Sequence, residues 1–341
     1  MKKTYPIRQM RYLLSAIVLC VGAGISAQDL HFSQFQNSPL NHNPALTGIF
    51  NGDERFAASY RRQWFSVPVE YMTFSGSYDR KFLRDGAKNF FSGGLLFDYD
   101  KAGKADLSTA YLGINGSYTI GLSESILLTG GATIGGGQRS SNVAGLRWGK
   151  QWNGRVYDPG LPTGEQDLDD THFSFEIGGG LNLRLQKSAR TRFDLGGGAF
   201  HLNQRNDSFY PTGNAKVPIR LALQGYGSLE VLPQLDLQAN LLAQFSGPYQ
   251  EIVLGGMLNI HVSTRKAREI QFGVGLGVRL DDALIPQVSL AYDGWRAGFS
   301  YDVNTSGFDV ATNERGGPEF SLMYIITEVR ALEQSKLCKI F

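Results

Sequence analysis

The sequence predicts an all-β protein, a transmembrane antiparallel β-barrel of about 14 strands with an irregular N-terminal segment. Between residues 171 and 186, apolar residues alternate strictly with polar residues or glycine, so the strand has one apolar and one polar face. The same two-sided pattern recurs from about residue 55 to 327, and an export signal precedes it. This combination is typical of a barrel whose outside contacts lipid and whose inside contacts water.

The export signal occupies residues 1–27, where basic residues are followed by an apolar run and then by small residues, as in a secretory signal peptide. We expect cleavage between Ala27 and Gln28. Cys20 lies within the apolar run and follows Leu19, which is larger than the small residue that a lipoprotein signal requires. We therefore interpret Cys20 as part of the signal peptide and not as a site of lipid attachment.

The composition after the signal fits this fold class. Only Cys338 remains, so an internal disulfide is excluded and stability must come from the sheet. No later stretch approaches the roughly 20 continuous apolar residues of a membrane helix. The mean hydropathy of -0.20 is expected when half of every strand faces a polar lumen. A formal net charge of +2 gives no argument for nucleic acid or for an acidic partner.

The alternation defines the strands in order, with ends set to within a few residues. We expect them at 55–65, 69–80, 90–99, 106–120, 125–137, 171–186, 190–201, 216–230, 234–246, 250–262, 268–280, 284–292, 295–302 and 318–327. The apolar residues of each strand should face lipid. Residues 55–327 therefore form the predicted barrel, and residues 328–341 form a predicted periplasmic C-terminal tail, which either makes contacts in the periplasm or is a frayed, solvated end.

Loop lengths test this prediction, because bacterial barrels have short periplasmic turns and longer outside loops. The long connections lie at about 138–170, 202–215 and 303–317, and all three are odd-numbered along the chain. They should therefore lie on one side of the membrane. The alternative is a soluble β-sandwich or solenoid, which also alternates but rarely needs so many long two-sided strands in one domain.

Signatures of catalysis and metal binding are absent from the sequence. It contains no Gly-x-Ser-x-Gly, no phosphate-binding loop and no His-Glu-x-x-His, so we predict neither an enzyme nor a cofactor. Three glycine triplets, at 135–137, 178–180 and 196–198, lie within or at the end of strand patterns, and we interpret them as sites of strand curvature. The scattered histidines lack the spacing of metal ligands. They are His31, His42, His172, His201 and His261.

The loop at 138–170 contains two candidate sites. Arg147, Trp148, Trp152 and Arg155 are of the residue types enriched at binding hot spots, and we predict that they bind a partner outside the cell, although a self-packed loop over the barrel mouth fits equally. An acidic run in the same loop is compatible with calcium, but it lacks an EF-hand pattern, so a solvated loop is favoured. The run consists of Glu165, Asp167, Asp169 and Asp170.

Several charged residues occupy inward positions of the predicted strands. They either line a selective pore or neutralise one another in a closed lumen, and the sequence leaves both alternatives open. These residues are Glu176, Arg184, Glu230, Arg279, Arg296 and Asp302.

Residues 28–54 do not have the pattern of a strand. Pro39 and Pro44 exclude a central strand, and the polar turn residues between them predict a bent, fixed conformation. A flexible leader is the alternative. The aromatic residues of the segment indicate that it packs, either in the lumen or against the periplasmic rim.

This segment resembles the start of the PorP/SprF family, membrane proteins of the type IX secretion system of Bacteroidota. The matching residues are Phe32, Ser33, Gln34, Asn43, Pro44, Ala45 and Gly48, whereas Leu30 replaces the usual proline. Further similar blocks are Tyr60-Arg61-Arg62-Gln63-Trp64, Ser77-Tyr78-Asp79 and the region around Phe97-Asp98-Tyr99-Asp100. The similarity extends over the whole mature chain, and its first part is the most specific.

The resemblance implies a non-enzymatic outer-membrane component of the secretion or gliding machinery. Its implied role is to bind and anchor, or help to export, a large cell-surface protein. The implied partners are that secreted or surface-anchored protein, periplasmic and outer-membrane subunits of type IX secretion, and outer-membrane lipid, with no nucleic acid. The N-terminal motif would make contacts in the periplasm or the lumen. The alternative function is a passive porin or small-solute transporter, which would have an open lumen.

Overall fold

The computed structural model describes residues 30–63, 71–83, 88–103, 105–142, 146–165, 168–265, 268–307 and 315–328. The expected signal peptide and almost all of the expected C-terminal tail lie outside these residues. Within the part of the chain that is described, no helix is both long and apolar enough to cross a membrane.

The described chain forms fourteen strands in one sheet. Their bounds are β1 Glu54–Gln63, β2 Tyr71–Phe82, β3 Phe90–Ala102, β4 Leu107–Gly121, β5 Ile126–Ser140, β6 Thr171–Gln186, β7 Arg192–Phe200, β8 Arg220–Leu232, β9 Leu235–Ser246, β10 Tyr249–Arg265, β11 Arg268–Arg279, β12 Ala283–Tyr292, β13 Trp295–Asn304 and β14 Arg315–Ile326. Each strand pairs antiparallel with its neighbours in the chain, and β1 pairs with β14 to close the barrel. The predicted fold class and strand number are confirmed.

Five strand ends differ from the prediction by three residues or more. Strands β3 and β5 end at Ala102 and Ser140 and not at 99 and 137, and β14 begins at Arg315 and not at 318. Strand β8 begins at Arg220 and not near 216, because Pro218 has no N–H to donate to a sheet. Strand β10 continues to Arg265, beyond the expected 262, because its pairing with β11 continues past a bulge.

The two faces of the sheet have opposite chemistry. Outward side chains are apolar and exposed, such as Phe173 at 72% and Leu181 at 64%. Their neighbours on the inner face are polar and buried, such as Glu176 and Asn182 in the same strand. Exposed apolar and buried polar side chains invert the pattern of a soluble sandwich, and they are what a lipid-embedded barrel requires.

The barrel has two unlike ends. At the long-loop end, the β5–β6 connection spans 141–170 and the β7–β8 connection spans 201–219. At the short-turn end, the β4–β5, β6–β7 and β12–β13 connections span only 122–125, 187–191 and 293–294.

Aromatic pairs mark the short-turn end of part of the outer wall. Four pairs of aromatic rings on neighbouring strands have their centroids 4.3–4.9 Å apart. The pairs nearest the turns are Phe56 with Tyr78, Phe91 with Tyr118, and Trp295 with Tyr324. They belong to β1–β4, β13 and β14. Such rings are enriched where a membrane meets water.

The long β5–β6 and β7–β8 connections are in direct contact with each other. The backbone N–H of Asp169 donates to the carbonyl of Phe209 at 2.9 Å, and the guanidinium of Arg139 lies 5.4 Å from the Phe209 ring centroid. The Tyr210 hydroxyl donates to the Glu165 carboxylate, and this hydrogen bond raises the pKa of Tyr210. The long-loop end is therefore an ordered surface formed by two loops together.

Arg190 connects the turns at the other end. It lies in the β6–β7 turn and donates to Asp236 at 2.6 Å, to Glu230 at 2.9 Å and to the carbonyl of Pro233 at 2.8 Å. The hydrogen bond with Asp236 raises the pKa of Arg190, so the guanidinium stays charged. His261 from β10 lies 2.8 Å from the same Asp236 carboxylate.

Candidate functional site: the occupied lumen

Residues 31–53, here called the plug segment, lie inside the barrel. Three short 3-10 turns form most of it, at Phe35–Asn37, Pro39–Asn41 and Pro44–Leu46. Proline begins two of the turns, where its fixed φ is suited and its missing N–H is not needed. Asn43 caps the last turn, because its side chain accepts from the Ala45 N–H at 2.8 Å. The expected bent conformation of this segment is what the structure has.

The plug segment is held first in the long-loop half of the lumen. The backbone N–H groups of Ser33 and Gln34 donate to the two carboxylate oxygens of Glu319, at 2.6 and 2.7 Å. Glu319 lies on β14 and is fully buried. A carboxylate that accepts two backbone N–H groups forms a charge-assisted, directional contact.

Two arginines complete this contact in the long-loop half of the lumen, which we call the upper contact. Arg61 donates to the His31 carbonyl at 2.8 Å and to Asp302 at 2.6 Å. Arg279 donates to the Ser33 hydroxyl at 2.6 Å and to the same Asp302 at 3.1 Å. All three charged side chains are at least 95% buried, so each depends on the others for compensation of its desolvation.

An apolar socket receives one plug side chain. Phe35 packs against five inward-facing apolar residues of the barrel wall, and all members of the cluster are buried. The wall residues are Ala222, Leu242, Val253, Ala283 and Ile285. They form an apolar patch on an inner face that is mostly polar, so Phe35 fixes the segment at one place around the wall.

A row of glycines on the barrel wall leaves space for the turn at Asn43 and Pro44. Gly131, Gly180 and Gly198 lie directly opposite one another on β5, β6 and β7. A methyl group at Gly131 would lie 2.5 Å from the Ala45 nitrogen, and one at Gly198 would collide with the His42 carbonyl. The wall can thus approach the plug backbone only because these positions lack side chains.

Two of these glycines belong to the triplets that the sequence assigns to strand curvature. Curvature is an incomplete account of Gly180 and Gly198, because both face inward and meet the plug. At Gly180 an added methyl group would collide with the Asn43 side chain, whose amide instead donates to the Leu181 carbonyl at 2.9 Å.

The lower contact lies near the short-turn end. Asp79 accepts from the Gly48 N–H at 2.7 Å and forms a two-point ion pair with Arg55, at 2.8 and 2.9 Å. Gly48 has φ = +75°, a conformation that favours glycine. Arg184 donates to the Ile49 carbonyl at 3.1 Å, so the chain is fixed on two walls just before β1 begins.

The residues that carry the family resemblance meet one another in this lumen. Arg61 and Asp79, from the blocks in β1 and β2, contact the plug at its two ends, and Asp98 from the third block lies 3.3 Å from Asn41. The seven matching plug residues are all buried or backed by the wall. Sequence reasoning missed Phe35 and Glu319 as contact residues.

Five of the six predicted inward charges form ion pairs within the described residues. Glu176 lies 2.8 Å from Arg205, and Arg184 binds Asp194 at 2.8 Å. Arg279 contacts Glu251 at 3.0 Å in addition to Asp302. Glu230 pairs with Arg190, and Arg296 is half-buried. The geometry therefore favours neutralised partners over rows of like charge lining a pore.

The four predicted partner-binding residues lie together in the β5–β6 loop. Trp152 forms an isolated antiparallel bridge with Tyr157, and the Arg147 guanidinium lies 4.9 Å from the Tyr157 ring centroid. Trp152 is 58% exposed, Arg155 is exposed and Trp148 is half-buried. The loop tip is a small folded unit that presents a tryptophan to solvent.

The acidic run of the same loop lies partly outside the described residues, because Asp167 is not among them. Within the described part of the chain, no group of three or more His, Cys, Asp or Glu is arranged to hold a metal ion.

A closed barrel with an apolar outer wall and a lumen occupied by its own N-terminal segment defines an outer-membrane β-barrel of the plugged class. The model of one family, described as type IX secretion system membrane protein PorP/SprF, matches residues 25–324. The chain belongs to the PorP/SprF family. It is therefore a membrane component of type IX secretion, located in the outer membrane.

Solved structures with a similar course of the chain are distant in sequence. The Ralstonia pickettii toluene transporter TbuX is 10% identical with a TM-score of 0.48, over 85% of this chain and 94% of that one. The Pseudomonas putida toluene transporter TodX is 10% identical with a TM-score of 0.46, over 84% and 92%. A FadL homologue of Pseudomonas aeruginosa is 9% identical with a TM-score of 0.45, over 83% and 92%. No curated protein matches the sequence significantly.

Proposed function

We propose that this barrel is a non-enzymatic docking subunit of type IX secretion that binds and anchors, or helps to export, a large cell-surface protein. In this proposal the long-loop end faces the outside and the short-turn end faces the periplasm, as in bacterial barrels generally. The observation that carries the proposal is the plug segment, because a lumen occupied by a segment that is bonded to the wall near both ends suits a docking surface better than a conduit.

The outer contact surface is the tip of the β5–β6 loop. Trp152 is exposed although its backbone is fixed by the bridge to Tyr157, so little conformational freedom is lost when a partner covers it. Exposed Val156, also at 58%, extends the apolar surface, and Arg147 and Arg155 add positive charge beside it. Tryptophan and arginine on a rigid support are typical of binding hot spots.

The periplasmic contact surface is the rim of short turns in this proposal. Because the side chains of the N-terminal family motif are occupied inside the lumen, their role is to hold the plug and not to bind periplasmic subunits directly. Glu328, just after β14, donates its N–H to Asp53 at 2.8 Å and so joins the end of the described chain to this rim.

Affinity isolation tests the proposal. The tagged protein is isolated from gently solubilised outer membranes, and the proteins that accompany it are identified by mass spectrometry. A variant with Trp148→Ala and Trp152→Ala should lose the large surface protein but keep the periplasmic subunits. Leu202→Ala, which alters an exposed apolar residue of the neighbouring loop, is the matched control and should keep both.

Ion conductance in a planar bilayer separates this function from the alternative of a porin. The wild-type barrel should conduct little, and a variant without residues 31–48 should conduct much more. High conductance of the wild-type protein, together with the absence of any retained surface protein, would contradict the docking proposal.

A further inference from the structure

An apolar groove lies on the outer wall near the short-turn end, at a step between two hairpins. Pairing of β7 with β8 ends at Arg192 opposite Ser228, whereas β8 and β9 continue to the pair Leu232 and Leu235. The β8–β9 hairpin therefore extends beyond the β6–β7 turn. The step between them leaves a recess that faces the membrane.

The recess has the size and chemistry of a ligand site. Its volume is about 460 Å³, within the roughly 300–1,000 Å³ typical of small-molecule sites. Small residues, Gly227 and Ala239, lie between the larger side chains of Phe193, Leu229 and Leu237. The last three are 44–51% exposed in the absence of lipid.

Positive charge lies at the turn end of this groove. Lys187 supplies it, and the described residues that line the groove include no aspartate or glutamate. Lys187 is exposed on the outer face, whereas the guanidinium of Arg192, which also borders the groove, lies on the inner face beside the Tyr226 ring, 5.4 Å from the centroid. The groove thus combines an apolar trough with a cationic end, which is the complement of an acyl chain and its phosphate.

The groove also lies where the aromatic pairs of the outer wall are missing. Those pairs occupy β1–β4, β13 and β14, whereas the groove spans β5 to β9. Among its described outward residues, Leu185, Phe193, Leu229 and Leu237 stand where tyrosine or tryptophan would anchor the wall at the interface. On this side of the barrel, leucine and phenylalanine side chains therefore lie at the interface between membrane and water in place of tyrosine or tryptophan.

We propose that the groove binds one phospholipid of the periplasmic leaflet, with an acyl chain between Phe193 and Leu237 and the phosphate at Lys187. The choice of leaflet rests on the orientation given under the proposed function. The lipid fills the step beside the β6–β7 turn, whose Arg190 binds the β8–β9 turn, so it completes the wall next to that contact.

Native mass spectrometry of the full-length barrel, released from nanodiscs that contain phosphatidylglycerol and phosphatidylethanolamine, tests this site. Wild-type protein should retain one phospholipid. Gly227→Leu should fill the groove and lower retention on the order of tenfold, as expected when several methylene groups lose their contacts. Gly116→Leu is the control, because an added side chain there also faces lipid and meets nothing within 4 Å.

The head-group contact is tested separately. Lys187→Gln should lower retention of phosphatidylglycerol about fivefold, the effect of one lysine at a lipid surface, whereas Lys88→Gln on another short turn should leave it unchanged. Heat-modifiable gel migration checks that each variant forms a barrel. If Gly227→Leu does not, Ala239→Leu replaces it, since this position is exposed within the same groove.

Equal retention in Gly227→Leu, Gly116→Leu and wild type would overturn the proposal. Retention of phosphatidylglycerol that is the same in Lys187→Gln and wild type would also overturn it. So would the finding that the bound acyl chain belongs to a co-purified lipoprotein. None of these results bears on retention of the surface protein, so failure of this site and failure of the docking function are distinguishable.

Discussion

Arg61 and Asp302 are 241 residues apart in the chain, yet their side chains meet at 2.6 Å. They lie on β1 and β13, which are separated in the sheet by β14. The same guanidinium also binds the His31 carbonyl, so one side chain connects two strands of the wall with the plug segment. The position of the plug and the charge balance of the wall are consequently parts of one network.

Replacement of Arg61 should be strongly destabilising. Arg61→Met leaves the buried carboxylates of Asp302 and Glu319 without their shared cation, which costs about 3–5 kcal/mol for a broken buried pair. Urea unfolding in detergent measures the loss. Arg62→Met is the control, because Arg62 is exposed next to it on the same strand and should change stability by less than about 0.5 kcal/mol. Equal losses would mean that the network does not stabilise the barrel.

The glycine row predicts a contrast between two adjacent positions. Gly131→Ala places a methyl group 2.5 Å from the Ala45 nitrogen and should displace the plug, at a cost of about 1–3 kcal/mol for overpacking. Gly130→Ala points outward, where the nearest atom is 3.7 Å away, and should be tolerated. Hydrogen exchange of the plug amides reports the difference. Unchanged exchange in Gly131→Ala would show that the plug does not need this close approach.

The apolar socket predicts that Phe35 anchors the plug. Phe35→Ala empties a buried cluster and should cost about 3–5 kcal/mol, with faster exchange at the neighbouring 3-10 turns. Phe173→Ala removes the same side chain from the lipid-facing wall and should leave plug exchange as in wild type. The prediction fails if the two variants have the same exchange pattern.

Arg190 should not be replaceable by lysine. Its planar fork reaches Asp236, Glu230 and a turn carbonyl at once, and a lysine keeps the charge but not this geometry. Arg190→Lys should lower stability by on the order of 1 kcal/mol, since the site is partly exposed. Arg80→Lys, in a pair whose arginine is 44% exposed, should be near neutral in the same unfolding assay. If the two variants behave alike, the charge of Arg190 alone suffices.

The wall was predictable because its signal is local. Each strand's own sequence alternates with a period of two. Residues such as Phe173 and Glu176 could therefore be assigned to opposite faces without knowledge of the neighbouring strands. Closure and strand number followed from counting such segments. The glycine triplets were predictable as sheet features, but not as the place where a second segment approaches.

The plug contacts were not predictable in detail because they join distant parts of the chain. Ser33 and Glu319 are 286 residues apart, and nothing in either local sequence specifies the other. One signal was available for the socket. In β9 the inward positions are polar except at Leu242, and an apolar residue facing a polar lumen indicates an apolar group inside.

The plug is bonded to both strands of the seam where the barrel closes, to Arg61 on β1 and to Glu319 on β14. Because the pair of β1 and β14 closes the longest loop of any strand pair in the sheet, its entropic cost is the largest, and we expect the seam to form late in assembly. The plug would then already be in position when β1 and β14 pair. The barrel would close around it, and the plug would not enter a barrel that had already closed. We therefore expect closure of the barrel and enclosure of the plug to be a single step of assembly.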